Sequence, residues 1–208
     1  METKTAKQQP ESPLVPGYLI KEVLDGKPVY YNGYKAVLSG GKTIDEIMGS
    51  SSLQRLILWY LSRIVLSSKN LDDSQYFVFT GEPGLHVEKR NNLSGDLMIY
   101  DRSQVSLFNV HYFQTPPLVN VEIDVNIDNS TFSDYEYIQR KTSNLLTFGV
   151  QRVIWILTTS QQVILAEPAK DWLVIDWHKD IELFNGITFN IPAYFEQEGL
   201  SLSPEREA

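Results

Sequence analysis

From Val119 to Asn126 the chain alternates without a fault: Val119, Val121, Ile123 and Val125 take one set of positions, and Asn120, Glu122, Asp124 and Asn126 the other. Side chains alternate between the two faces of a β-strand, so this segment reads as a strand with one apolar face and one face of carboxylates and amides. Two explanations of the polar face stand open. An edge strand or solvated sheet face needs nothing more than water, as in an antiparallel strand buried on one side. A metal site gives the pattern a chemical reason, because neighbouring carboxylates repel and a divalent cation commonly holds such groups together.

The rest of the chain limits what this strand can belong to. With 208 residues, 42% of them hydrophobic, there is enough chain for one domain with an ample core. The polar ends, 1–12 and 198–208, read as frayed tails. A single domain over 13–197 remains, without internal repeats. Cysteine is absent, which removes disulfides, thiolate zinc sites and thiol nucleophiles. The opening METKTAKQQPES lacks signal-peptide character, and the apolar run from Leu53 to Leu66 is interrupted by Arg55 and Arg63 and is too short to span a bilayer. A cytoplasmic protein without a membrane partner is expected. The formal net charge of −8 counts against a broad electrostatic grip on nucleic acid.

Periodicity and turn residues predict a mixed α/β (α+β) order. From Gly17 a short helix or strand leads into a turn at Asp25–Pro28, followed by strands at Val29–Tyr31 and after Gly33. Thr43 to Glu46 has the form of a capping box and starts a short helix ending near Gly49. Ser50–Ser52 open a longer helix, whose stripe of Leu53, Leu56, Ile57, Tyr60, Leu61, Ile64 and Val65 is wide enough to pack on two sides. That width is also compatible with a two-fold partner. Further strands are predicted at Tyr76–Thr80, Leu85–Glu88, Leu97–Tyr100, the alternating segment, Arg152–Leu157, Gln162–Ala166, Trp172–Ile175 and Ile187–Phe189. A helix is predicted over Ser133–Phe148. This order fits an antiparallel-rich mixed sheet with flanking helices.

Several motifs carry no chemistry. SGGKT (Ser39–Thr43) resembles the end of a phosphate loop, but Ala36 stands where that motif needs glycine. His86, His111 and His178 are far apart and have no partners at metal-ligand spacing, and no G-x-S-x-G elbow is present. Trp155, Trp172 and Trp177 read as core or interface residues. The helix before Gly149 says more. Ile138, Lys141, Leu145 and Phe148 share one stripe, and a buried unpaired ammonium costs several kcal/mol. Lys141 must therefore snorkel outward or meet acids. Asp96, after Gly95 and at the start of an apolar strand, supplies a third acid. Asp96, Glu122, Asp124 and Lys141 then lie on three regular elements in chain order.

In that order, SGDLMI (Ser94–Ile99), PPLVNVEID (Pro116–Asp124), KTSNLLTFGV (Lys141–Val150) and VIWI (Val153–Ile156) resemble a large bacterial family of restriction endonuclease-like proteins. That family, long carried as a domain of unknown function, lies within the PD-(D/E)XK nuclease superfamily. The resemblance covers about residues 15–195. It implies a restriction-endonuclease-like core, with Asp96 as the first metal-binding acid and Glu122 as the acid of the third core strand. Asp124 stands where the superfamily's lysine usually follows, and Lys141 resembles a lysine moved to the adjacent helix. The family's proline before the first acid is Gly95 here. Its N-terminal Y-E-L…D-G-E segment is weakened to VYYNG (Val29–Gly33), and a histidine often found before the first long helix has become Ser50–Ser52.

A Mg²⁺-dependent endonuclease acting on DNA is the function this resemblance implies, with Mn²⁺ as an alternative ion. Asp96 and Glu122, with the Ile123 backbone carbonyl, hold the metal, and Lys141 orients water or offsets charge on phosphate oxygens. Asp124 and Glu82 stand in the surroundings or share a second ion, and Gln139 and Arg140 reach phosphate. A homodimer is expected. The rival is a nuclease-fold module that binds protein or assembles as a dimer, favoured by the acidic charge and the Tyr and Trp content. An acid/base glycosidase built on Glu122 and Asp124 is weaker, because neighbours on one strand face are too close to flank a glycosidic bond.

Overall fold

The alternating segment does form a strand, over Val119–Ile123, but all five of its residues are buried. Neither face meets solvent, so the edge-strand explanation of its polar residues does not hold. The computed structural model describes residues 15–106 and 110–200. Along the chain it contains β1 (Ile20–Leu24), β2 (Lys27–Tyr30), α1 (Tyr34–Leu38), α2 (Asp45–Met48), α3 (Ser52–Leu66), β3 (Tyr76–Thr80), β4 (Gly84–Glu88), β5 (Asn91–Ser94) and β6 (Leu97–Asp101). There follow β7 (Val119–Ile123), α4 (Asp134–Phe148), β8 (Arg152–Leu157), β9 (Gln162–Ala166), β10 (Leu173–Asp176), β11 (Ile181–Phe184), β12 (Ile187–Phe189) and α5 (Ile191–Gln197).

A six-stranded sheet runs in the order β10-β9-β8-β7-β6-β3. Its one parallel pair is β7–β8, the others being antiparallel. A parallel pair needs a crossover, and α4 is that crossover. A second sheet, β2-β1-β5-β4, is antiparallel, and β11–β12 form a hairpin.

Period-two alternation sorts the large sheet into two cores. Leu97, Ile99, Val121, Ile123, Ile154 and Ile156 face α3, the β11–β12 hairpin and α5. Met98, Tyr100, Val153, Trp155 and Ala166 face α4 and the small sheet. Each aliphatic side chain fully removed from water contributes about 1.5–3 kcal/mol, so both layers hold the sheet strongly. The wide stripe on α3 is taken up within the chain, since Leu53, Leu56, Ile57, Tyr60, Leu61, Ile64 and Val65 all pack into the first core.

Local signals explain most helix ends. Ser51 accepts a hydrogen bond from the Gln54 N–H at 3.1 Å, Ser133 accepts one from the Glu136 N–H at 3.3 Å, and α4 stops at Gly149 with φ 118°. Only half of the predicted capping box forms. Glu46 accepts from the Thr43 N–H at 2.7 Å, while the Thr43 hydroxyl donates to the same carboxylate instead of capping the helix.

Where a strand is predicted after Gly33, α1 forms. Gly33 turns with φ 85°, and the Tyr34 ring stacks on Tyr30 at 4.4 Å beside Leu19 and Ile47. Ring packing outweighs local β preference there. β5, β11 and α5 are additions to the predicted order. The helix α5 carries the Asn190 cap and the early proline that mark a helix start. Glu198 closes α5, donating its N–H to the Tyr194 carbonyl at 3.0 Å. Of the tails expected over 1–12 and 198–208, residues 198–200 instead continue the end of α5, Leu200 donating its N–H to the Phe195 carbonyl at 2.8 Å, while 1–12 and 201–208 lie outside the described residues. No helix among the described residues is long and apolar enough to cross a membrane.

Candidate active site

Antiparallel pairing sets Leu97 opposite Val121, which brings the start of β6 beside the end of β7. Asp96 extends that ladder by one step: its N–H donates to the Val121 carbonyl at 2.9 Å, and its Oδ2 accepts from the Ile123 N–H at 2.7 Å. The carboxyl is thereby held against the strand carrying Glu122. Asn120, on the same strand, fills the space beside Gly95 and donates its Nδ2 to Glu122 Oε1 at 2.8 Å.

Gly95 follows from this crowding. A Cβ there would collide with Asn120 Oδ1 and come within 2.9 Å of Met98 Cε, so the family's proline has no room. Gly95→Ala should cost about 1–3 kcal/mol through overpacking. Thermal denaturation checks this, and a variant melting with the wild type would show that Asn120 moves aside freely.

Lys141 lies under this pair with 1% of its side chain exposed. Its ammonium stands 2.9 Å from Glu122 Oε1, donates to Glu22 Oε1 at 2.8 Å and donates to the Tyr137 hydroxyl at 3.2 Å. Two hydrogen bonds and a close ion pair with Glu122 thus surround the ammonium inside the fold. The rings of Tyr137 and Trp155 add faces at 5.4 and 5.6 Å. Burial opposes its charge, but Glu122 and Glu22 outweigh burial and hold the amine well above the ordinary lysine value. Lys141 therefore keeps its proton at neutral pH.

The acids divide unequally around it. Burial works against the Glu22 carboxylate, yet Lys141 and Lys21 together hold it below its ordinary value. Ser94 N–H and Oγ and the Tyr137 hydroxyl also donate to it. Burial pushes Glu122 up to about 7, with Lys141 opposing the rise and the charges of Asp96 and Glu22 reinforcing it. Burial also raises Asp96, against the Ile123 N–H that favours its charged form.

Asp96 and Glu122 line a small cavity of about 10 Å³, enough for one water-sized sphere. The Gln54 amide, from α3, donates to Asp96 Oδ1 at 3.3 Å and to the Ile123 carbonyl at 3.0 Å. Those two oxygens thus converge on a single atom. Among the described residues no three His, Cys, Asp or Glu side chains gather around one point. An all-protein metal cage is therefore absent from this region. Two carboxylates and a carbonyl nevertheless suit Mg²⁺, which keeps several waters and uses few protein ligands. The convergence at Gln54 Nε2 brings two of these donors, Asp96 and the Ile123 carbonyl, to one point in the cavity that Glu122 also lines, with Gln54 turning aside or presenting its carbonyl oxygen.

The remaining predicted residues are placed differently. β7 ends at Ile123, and Asp124 adopts φ 60° instead of continuing the alternation. Its two oxygens accept from the Thr158 N–H at 2.7 Å and hydroxyl at 2.8 Å, so it fastens the end of β8 while lining the cavity wall. Glu82, exposed at the turn after β3, also lines the cavity. Gln139 and Arg140 do not. Helical geometry turns them to the outer side of α4, where Gln139 donates to Tyr135 and Arg140 pairs with Asp25 and Glu136.

Glu22, Tyr137, Gln54 and Lys21 were not singled out from the sequence. Glu22 left a trace: KEVLDGK (Lys21–Lys27) follows the order of acid, apolar residue and Asp-Gly turn in Y-E-L…D-G-E more closely than VYYNG does.

No family model matches the chain, and no curated protein matches it. Among solved structures, it is similar to the crystal structure of a "putative nuclease belonging to DUF820" from Anabaena variabilis ATCC 29413. The TM-score is 0.61 at 14% identity, over 84% of this chain and 89% of that one. At such identity the likeness concerns the fold, and the restriction-endonuclease-like mixed α/β core expected from the sequence is the fold present.

Proposed function

We propose that the protein is a divalent-metal-dependent nuclease hydrolysing DNA phosphodiester bonds. The observation carrying this reading is that the Asp96 carboxyl and the Ile123 carbonyl meet at one atom, Gln54 Nε2, in a small cavity that Glu122 also lines, beside a fully buried ammonium. Asp96, Glu122 and the Ile123 carbonyl would hold Mg²⁺ or Mn²⁺. The ion, when bound, supplies Lewis acidity that makes a water more nucleophilic and offsets charge on phosphate. Asp96 is oriented for this by the Ile123 N–H, and Glu122 by Asn120 and Lys141. Lys141, buried and firmly protonated, offsets the negative charge gathered at the site and does not serve as a proton acceptor.

Thermal unfolding in increasing Mg²⁺ or Mn²⁺ tests the metal half of the reading. A site saturated to one hundred times its dissociation constant should add about 2.7 kcal/mol. Asp96→Asn should abolish that gain and also stop cleavage of supercoiled plasmid and single-stranded DNA. Wild-type protein that ignores millimolar metal and leaves DNA intact would end the nuclease reading in favour of a protein-binding module.

A further inference from the structure

A nuclease site needs a cation facing the substrate, and Lys141 does not face the cavity. It is buried beside it, hydrogen-bonded to Glu22 and Tyr137 and ion-paired with Glu122. Among the residues that line the cavity the one cation is Lys21. Strand alternation alone would turn Lys21 away from Glu22, its neighbour on β1. The β1–β2 register, however, slips by one residue between Ile20 and Glu22, so Lys21 is the extra residue of a β-bulge. Bulges re-aim a side chain and recur beside active sites. This one turns the lysine to the same cavity as Asp96 and Glu122.

Lys21 is half-buried, and among the described residues its ammonium has no ion-pair partner within 4.0 Å. It is still close enough for its charge to draw down the carboxyls of Glu22 and Asp96. Arg140, the nearest alternative by sequence, is held by Asp25 and Glu136 on the outer side of α4.

We infer that Lys21 is the catalytic residue that holds a non-bridging oxygen of the scissile phosphate, and that Lys141 is a positioning residue acting through Glu122. Building on the nuclease reading above, this assigns the substrate-facing charge to β1 instead of α4. A fixed positive group aimed at a phosphate oxygen stabilises the charge that develops there, and the acids Glu82, Asp96 and Glu122 around the cavity make such a group necessary.

The test compares full-length wild type, Lys21→Gln and Lys21→Arg. Cleavage of a short fluorescent oligonucleotide in Mg²⁺ is measured together with its binding in Ca²⁺ across a salt series, and each protein's melting midpoint is recorded with and without Mg²⁺. Lys21→Gln should cleave about 100-fold more slowly, as for loss of one charge-stabilising donor. Lys21→Arg should recover most of that rate. The log–log salt slope for single-stranded binding should shrink by about 0.7 in Lys21→Gln, one phosphate contact. Its Mg²⁺-induced rise in midpoint should match the wild type, which a merely destabilised variant would not show. Cleavage by Lys21→Gln at the wild-type rate, or an unchanged salt slope, overturns the assignment while Asp96→Asn still silences the enzyme. Should the wild type neither cleave nor respond to metal, the nuclease reading falls by itself. The salt slope then decides Lys21 alone, and an oligonucleotide that does not bind at all overturns it too.

Discussion

Replacing Lys141 with methionine is expected to lower the melting midpoint by on the order of 10 °C, combining a loss of about 3–5 kcal/mol for breaking a buried ion pair with about 2–4 °C per kcal/mol for a chain of this size. Methionine matches the length of the lysine stem, so little of the effect comes from an empty cavity. What remains is Glu22 and Glu122 facing one another without the ammonium that lay 2.8 and 2.9 Å from them. Both carboxyls should then take up protons, which makes the loss larger at pH 8 than at pH 5. Adding Glu22→Gln to the methionine variant should restore much of the midpoint, because neutral groups replacing a buried charged cluster cost little. Calorimetric scans at the two pH values check this. A methionine variant within a degree of wild type at pH 8 would mean that the ammonium does not hold the acids together.

Glu122→Gln should act in the opposite sense on the metal-free protein. The Glu122 carboxyl has a pKa of about 7 in the fold against an ordinary 4.5. A raised acid binds its proton more tightly when folded, so its contribution is most favourable below pH 4.5. That contribution falls as pH climbs and is wholly lost above pH 7. The gap corresponds to about 3 kcal/mol. Glutamine cannot ionise, and it keeps an oxygen for Asn120 and Lys141 while Glu22 still pairs with the lysine. Glu122→Gln should therefore melt higher than wild type at pH 8, melt with it near pH 4.5, and show no stabilisation by Mg²⁺. The wild type's own response to Mg²⁺ should fade below pH 7, where the proton competes for the same oxygen. A glutamine variant less stable than wild type at pH 8 would contradict the raised pKa. Stability given up for a poised carboxylate is the usual exchange at a functional site.

Much of the fold was legible because its cues are local. The alternation in β7, the stripe of α4, the serine caps and Gly149 each act within a few residues. Asp96 and Lys141 were legible for a related reason: a carboxylate after glycine at a strand start, and a lysine inside an apolar stripe, both violate their surroundings. Glu22 breaks no such local rule. Its significance comes from Lys141, 119 residues away, and from Ser94, 72 residues away. The alternation was carried one residue too far: β7 ends at Ile123, and Thr158 captures the Asp124 carboxylate, which still lines the cavity wall. Gln139 and Arg140 were placed near phosphate by adjacency to Lys141, although neighbours on a helix point about 100° apart.

Determined by the sequence alone were the apolar periodicities, and hence most of the long helices and strands and their apolar faces, since those depend on spacing within single segments. Tertiary structure alone decided which charges meet. Packing the small sheet against α4 delivered Glu22 to Lys141, α3 carried Gln54 to Asp96, and a one-residue slip in β1 turned Lys21 into the cavity. Those are through-space Coulomb and steric relations between distant segments, and no pattern confined to one segment encodes them.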